Sequence, residues 1–399
     1  MLGSSCPGCF RTLSNGSGTR NSVNNLKYLA WKRPINVFNN ICVCSPPFFF
    51  LHLHSLVMRA KVVDPPKNLP SAPKARLVGH EEGPIRAIKF TSDGKYCITA
   101  GHDRTVRLWN PLRIDPAYEH ANPIPVPARS AMLLDSLPHA LPIQTYSDGY
   151  TYPISAIDID DTSTTLLSSS DKTLVVTDVL TRKVKKRFQG HTGRINSVAC
   201  SSEGTIFLSA SYDGTVRIWD GRSFSTSPVQ TLTDAKDSVS SVTVLEKKND
   251  LCEIVTSSID GKLRTYDVRR GLLNEDDLGK NVALTCFAHT SDNLCGVISC
   301  LNGAIHVTER STSTLLNTCF GGHTAGKYSL ECQVTSDDQF IVSGSEDGNI
   351  VFYDFASGRV AQTLAGHGRA TCTVAVHPSR EKSSVVVSGS YDGNAVVWT

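Results

Sequence analysis

The sequence predicts an all-β fold, a seven-bladed β-propeller in which copies of one unit close into a ring, and three observations predict it. A phrase recurs seven times along the chain: a β-rich run, a pair of small residues, an Asp often followed by Gly, and a strand whose residue six positions on is usually aromatic. It is fullest in FLSASYDGTVRIWD at 207–220. The turn residues Asp103, Asp171, Asp213, Asp260, Asn302, Asp347 and Asp392 lie 68, 42, 47, 42, 45 and 45 residues apart, and repeats of roughly 20–50 residues mark propellers and solenoids. Composition agrees: 40% hydrophobic, 19% charged and 29 Gly describe a globular chain with many turns.

From the N-terminus, residues 1–74 are read as an extension, of which 1–57 share nothing with the repeat and Arg59 to Lys74 lead into the propeller. Residues 1–57 are taken as sequence preceding a true initiator at Met58; a disordered arm and an organelle transit peptide stay open, because this stretch carries no acid and contains Ser and Arg. Residues 75–78 stand before Gly79-His80 as Lys186-Arg187-Phe188-Gln189 stand before Gly190-His191. The last repeat ends at Trp398, one strand short, so 75–78 are expected to supply the outer strand of the last blade and close the ring without an orphan edge. In five copies Asp-Gly or Asn-Gly between apolar runs predicts a tight hairpin, since Gly accepts positive φ, and the constant spacing extends the hairpin to all seven. The first interval is about 25 residues longer than the rest. It holds an insertion placed at 111–142, whose seven prolines argue for an extended loop serving as spacer or docking site.

Four copies are preceded by Gly-His: Gly79-His80, Gly190-His191, Gly322-His323 and Gly366-His367. With the Asp turns and the terminal Trp, these residues resemble the WD-repeat family. The resemblance implies four-stranded antiparallel blades and, in each complete blade, a hydrogen-bonded structural tetrad of His, Ser or Thr, Asp and Trp. It falls on His80, Thr99, Asp103 and Trp109; on His191, Ser209, Asp213 and Trp219; on His367, Ser388, Asp392 and Trp398; and, with Tyr353 in place of Trp, on His323, Ser343 and Asp347. Blades two, four and five lack Gly-His and carry Thr177, Tyr266 and Thr308 at the Trp position, so partial or absent tetrads are expected there.

His191, Ser209 and Asp213 have the residue types of a nucleophilic triad. Their repetition in other blades reads as scaffolding, because an enzyme needs one site with one oriented nucleophile. No phosphate loop or His-Glu-x-x-His motif occurs, so no enzyme activity, cofactor or metal is expected. Cys6-Pro-Gly-Cys9 and Cys42-Val-Cys44 are poor zinc half-sites. The other nine of the thirteen Cys lie mostly in apolar runs and read as reduced core residues. Residues 1–63 hold seven Lys or Arg and no acid, so of the formal net +3 the remainder carries −4, and direct nucleic-acid binding is not expected. The apolar stretch 41–57 is broken by Pro46, Pro47, His52 and His54 and reads as no membrane span. The basic run Arg182, Lys183, Lys185, Lys186 and Arg187 is read as a charged outer strand that blocks edge pairing, and Glu275-Asp276-Asp277 as a solvated loop.

The residue before each turn Asp is expected on the same rim as the Gly-His loops. His102, Tyr212, Glu346 and Tyr391, with Arg86 and Arg194, make up the candidate partner-binding rim, anchored by the two tyrosines. Runs such as Ile85-Arg86-Ala87-Ile88-Lys89-Phe90 and Ser227-Pro228-Val229-Gln230-Thr231-Leu232 resemble, within the WD-repeat family, scaffolds that organise mitogen-activated protein kinase modules. This resemblance covers 75–399 apart from the insertion. It implies a non-catalytic scaffold for kinase-cascade components, cytoplasmic and nuclear, a monomeric propeller within larger complexes. A spliceosome component among splicing factors and a ubiquitin-ligase substrate receptor are the alternatives.

Overall fold

The computed structural model describes residues 69–80, 83–117, 136–246, 252–267, 270–279 and 282–399; the expectations for 1–57, the Cys6–Cys9 and Cys42–Cys44 pairs and the 41–57 stretch lie outside them. The repeat becomes seven four-stranded antiparallel sheets. The first blade is β2 (Ile85–Phe90), β3 (Cys97–Gly101), β4 (Val106–Ile114) and β5 (Ala140–Tyr146), from the centre outwards. The second is β6 (Ile154–Ile159), β7 (Thr165–Ser170), β8 (Thr173–Asp178) and β9 (Val184–Gln189). The third is β10 (Ile195–Cys200), β11 (Ile206–Ser211), β12 (Val216–Asp220) and β13 (Gln230–Leu232). The fourth is β14 (Val239–Glu246), β15 (Cys252–Ser258), β16 (Lys262–Asp267) and β17 (Gly271–Asp277). The fifth is β18 (Leu284–His289), β19 (Cys295–Cys300), β20 (Ile305–Glu309) and β21 (Thr314–Cys319). The sixth is β22 (Cys332–Val334), β23 (Phe340–Gly344), β24 (Asn349–Asp354) and β25 (Val360–Ala365).

The seventh blade is β26 (Thr371–Val376), β27 (Val386–Ser390) and β28 (Ala395–Trp398), completed by β1 (Pro73–Leu77) as its outer strand. The closing strand is therefore 73–77, two residues earlier than 75–78. Ala75 pairs with Val397 and Leu77 with Ala395, and Ser71 N–H donates to the Thr399 carbonyl at 3.1 Å. β2 packs on both β6 and β26, so the ring has no gap.

Burial is deepest in the second strand of each blade and falls towards the outer one, the innermost strands β2, β6 and β10 being partly open to the channel. Strands β3, β7, β19, β23 and β27 are buried at every residue because a neighbouring blade covers each face. Such strands read as runs of apolar and small hydroxyl residues, without alternation. The outer strands β9, β21 and β25 are the more exposed ones, and β9 carries charge that discourages edge pairing.

Three details differ from the sequence reading. The insertion is strand at both ends: Asn110 pairs with Leu141 and Ile114 with Ala140. Pro142 sits on the outermost strand, where a missing N–H costs no ladder bond. Pro138 accepts the N–H of Arg76 at 2.9 Å, laying the stem of the insertion against β1; residues 118–135 lie outside the described part. Secondly, Glu275-Asp276-Asp277 belongs to β17, where Glu275 accepts from Arg264 Nε at 2.9 Å. Thirdly, the blade-two hairpin is shorter. Ser170 pairs directly with Thr173, and Asp171 itself takes a positive φ of 52°, whereas Gly214, Gly261 and Gly393 do so one residue after the Asp elsewhere.

Candidate interaction surface

In three blades the four residues form one hydrogen-bonded chain. Trp219 Nε1 donates to Ser209 Oγ at 2.9 Å, Ser209 Oγ meets His191 Nε2 at 2.7 Å, and His191 Nδ1 meets Asp213 at 2.9 Å. Trp109, Thr99, His80 and Asp103 repeat it at 2.8, 2.7 and 2.9 Å. Trp398, Ser388, His367 and Asp392 do so at 2.8, 2.7 and 3.3 Å. The pattern assigns each His as neutral, its Nδ1–H donated to the carboxylate. Burial lowers the His191 pKa against the opposing pull of Asp213. Burial would raise the Asp213 carboxyl, but hydrogen bonds from Thr215 and His191 hold it well below the usual range. Ser209, Ser388 and Thr99 have no exposed surface, so these hydroxyls meet no substrate.

The sixth blade departs from the expected set. His323, Ser343 and Asp347 are not linked. Tyr353 carries its hydroxyl at the tip of the ring, where it accepts from His323 Nδ1 at 2.6 Å and donates to the Gly321 carbonyl. Ser343 turns to the Gly344 carbonyl at 3.0 Å, and Asp347 binds Asn349 at 2.8 Å. The phenol takes the histidine face that the Asp holds in a Trp blade. Two blades substitute other chemistry that the repeat pattern did not disclose. Tyr150 bonds Ser168 at 2.7 Å where a Gly-His would stand. In the fourth blade the buried Arg264 reaches Asp260 at 2.8 Å and Glu275 at 2.9 Å.

The rim is set by one repeated backbone bond. His102, Tyr212, Ile259, Leu301, Glu346 and Tyr391 each donate their N–H at 2.9 Å to a carbonyl in the segment leading to the innermost strand, those of Pro84, Arg194, Ser238, Ala283, Thr324 and Ala370. The central channel, about 840 Å³, is lined at this end by Tyr212, Ile259, Leu301 and Tyr391. Tyr212 is 66% exposed. His102 and Glu346 do not line it. The carboxylate of Glu346 instead accepts the backbone N–H groups of Lys327 and Tyr328, the latter at 2.9 Å.

A second device aims side chains into the channel. The innermost strands of six blades carry a register shift near their start, as between Ile85 and Ala87 or Ile195 and Ser197. Such a bulge re-aims a side chain, here Arg86, Ser155, Asn196, Ser240, Thr285 and Cys372, all of which line the channel. Most of them tie neighbouring blades: Ser155 Oγ to the Ile195 carbonyl at 2.6 Å, Asn196 to that of Val239 at 2.8 Å, and Cys372 Sγ to that of Ile85 at 3.0 Å. Arg86 instead lies 5.7 Å over the Tyr391 ring, which packs 4.7 Å from Tyr328. Arg194 and Lys327 complete a cationic, aromatic mouth. Tyr328 and Lys327 escaped the sequence reading because they precede β22 in an irregular stretch; its only signal was the long spacing between Gly322-His323 and the next apolar run.

Elsewhere, of the basic run, Arg182 and Lys183 precede β9 and the other three lie on it; Lys185 pairs with Asp178 at 2.9 Å, and Lys186 Nζ donates to the Asp220 carbonyl at 3.2 Å. The nine described cysteines are free thiols, six of them buried. Among the described residues no His, Cys, Asp and Glu group is placed to hold a metal ion, and no helix is long and apolar enough to cross a membrane.

Comparison with known proteins follows the same repeat, each match running from the outer strand of one blade through the inner three strands of the next. The family model described as WD domain, G-beta repeat matches residues 71–110, 141–178, 182–220, 313–354 and 358–399. It passes over residues 221–312, which hold blade four and the inner three strands of blade five; both blades lack the Gly-His pair and the Trp, as does blade two, which is matched. The chain is 34% identical to the rat WD repeat domain-containing protein 83, over 82% of this chain and 94% of that protein. It is 31% identical to the zebrafish protein of the same name, over 84% and 95%. It is 27% identical to the Dictyostelium discoideum WD repeat domain-containing protein 83 homolog, over 81% and 97%.

Proposed function

The chain belongs to the WD-repeat family, and from that premise we propose that it is a protein-interaction scaffold that gathers components of a mitogen-activated protein kinase cascade at the channel mouth. The observation that carries the interaction role is the cluster Arg86, Tyr391, Tyr328, Arg194 and Tyr212. Aromatic and Arg side chains supply most of the energy in protein interfaces, and here they stand on a rigid ring. The kinase partner class rests on the resemblance over 75–399 outside the insertion. The scaffold works in the cytoplasm, with a nuclear pool.

Affinity purification of the tagged full chain, with RNase in the lysate, tests this reading. Kinase-cascade proteins should co-purify in amounts unaffected by RNase. Recovery of splicing factors or ubiquitin-ligase subunits with no kinase-cascade protein would replace the proposal by one of those roles.

A further inference from the structure

We propose that Ser227, in the loop joining the third and outer strands of blade three, is a phosphoacceptor for a proline-directed serine/threonine kinase, a modification site separate from the channel mouth. The chain contains two Ser-Pro steps, Ser45-Pro46 and Ser227-Pro228, and no Thr-Pro. The second lies in the loop joining β12 to β13. Phe224, Ser225, Thr226 and Ser227 are all exposed there, Phe224 fully. Ser227 Oγ bonds only the equally exposed Ser225 Oγ, at 2.6 Å. A residue before proline is driven to extended backbone, and Pro228 offers no N–H. An extended, accessible hydroxyl followed by proline is the geometry such a kinase grips.

The first residues of the loop border a basic cleft. A cleft of about 230 Å³ between blades two and three is lined by Lys185, Lys186 and Arg222. Lys186 Nζ already holds the loop through the carbonyls of Asp220 and Ser223. Phosphorylation adds roughly −1.5 to −2 charge and three acceptor oxygens to a loop whose first residues Lys186 anchors. In the transfer, Ser227 Oγ attacks the γ-phosphorus of ATP bound to the kinase and forms the new O–P bond. The bond to the β,γ-bridging oxygen breaks, its electron pair leaves with ADP, and the hydroxyl proton passes to the kinase's carboxylate base.

The test incubates the full chain with a purified proline-directed kinase and γ-labelled ATP, and maps the phosphate by mass spectrometry. Phosphate should fall on Ser227. Ser227→Ala should remove most of the label, Pro228→Ala should slow incorporation about tenfold, and Ser225→Ala should retain it. Equal melting temperatures for the three variants show that the loop alone has changed. Label that persists in Ser227→Ala, equal rates for Pro228→Ala and wild type, or phosphate confined to Ser45 would overturn the proposal.

Discussion

Asp213 and Asp347 occupy equivalent turns, yet only Asp213 is wired to its blade. It accepts from His191, Thr192 and Thr215, whereas Asp347 is exposed and binds its neighbour Asn349. Asp213→Ala strands a buried His191 Nδ1 and should cost about 2 kcal/mol. Asp347→Ala should stay within about 0.5 kcal/mol of wild type. Denaturation midpoints of the two variants decide between unequal blades and seven equivalent turns. The sequence showed which blades possess the four residue types. It could not show that a phenol at position 353 redirects His323, because that depends on how far each ring reaches. Arg264 was likewise invisible as a substitute, since its cross-strand neighbour Glu275 is opposed only once β16 and β17 pair.

At the scale of elements, the closing strand was legible to within two residues, because Arg76 and Leu77 precede Gly79-His80 as Arg187 and Phe188 precede Gly190-His191. The bulges were not. A register shift leaves no spacing signal inside one strand, so the exit of Arg86, Asn196 and Cys372 into the channel appears only with pairing. Leu77 is 1% exposed in the cluster that joins blade seven to blade one. Leu77→Asp buries a charge there and should destabilise by at least 3 kcal/mol. It should also free the edge of β28, seen as a lower melting temperature with oligomers in size-exclusion chromatography. A monomer with wild-type melting would show that β1 does not hold the ring closed.

For the whole molecule, buried histidines give stability a definite pH slope. The His191 pKa lies below its ordinary 6.5 in the fold. As pH falls through about 6.5 the unfolded chain binds a proton that the folded chain resists, and stability drops. The Asp213 carboxyl lies below its ordinary 3.8, so its contribution is present above that value and is lost on further acidification. Melting temperature should therefore fall from pH 7.5 towards 5.5 and again below about 4; a flat or rising profile between 7.5 and 5.5 contradicts the neutral-histidine assignment. The ring also makes the channel mouth the place where rigidity, aromatic surface and cationic charge coincide. Most direct is a comparison of proteins captured by the tagged wild-type chain, by Tyr212→Ala/Tyr391→Ala, and by Leu316→Ala on the outer strand β21, all matched for melting temperature. Partners should be lost from the double variant and kept by Leu316→Ala; an unchanged partner set in the double variant would contradict binding at the channel mouth.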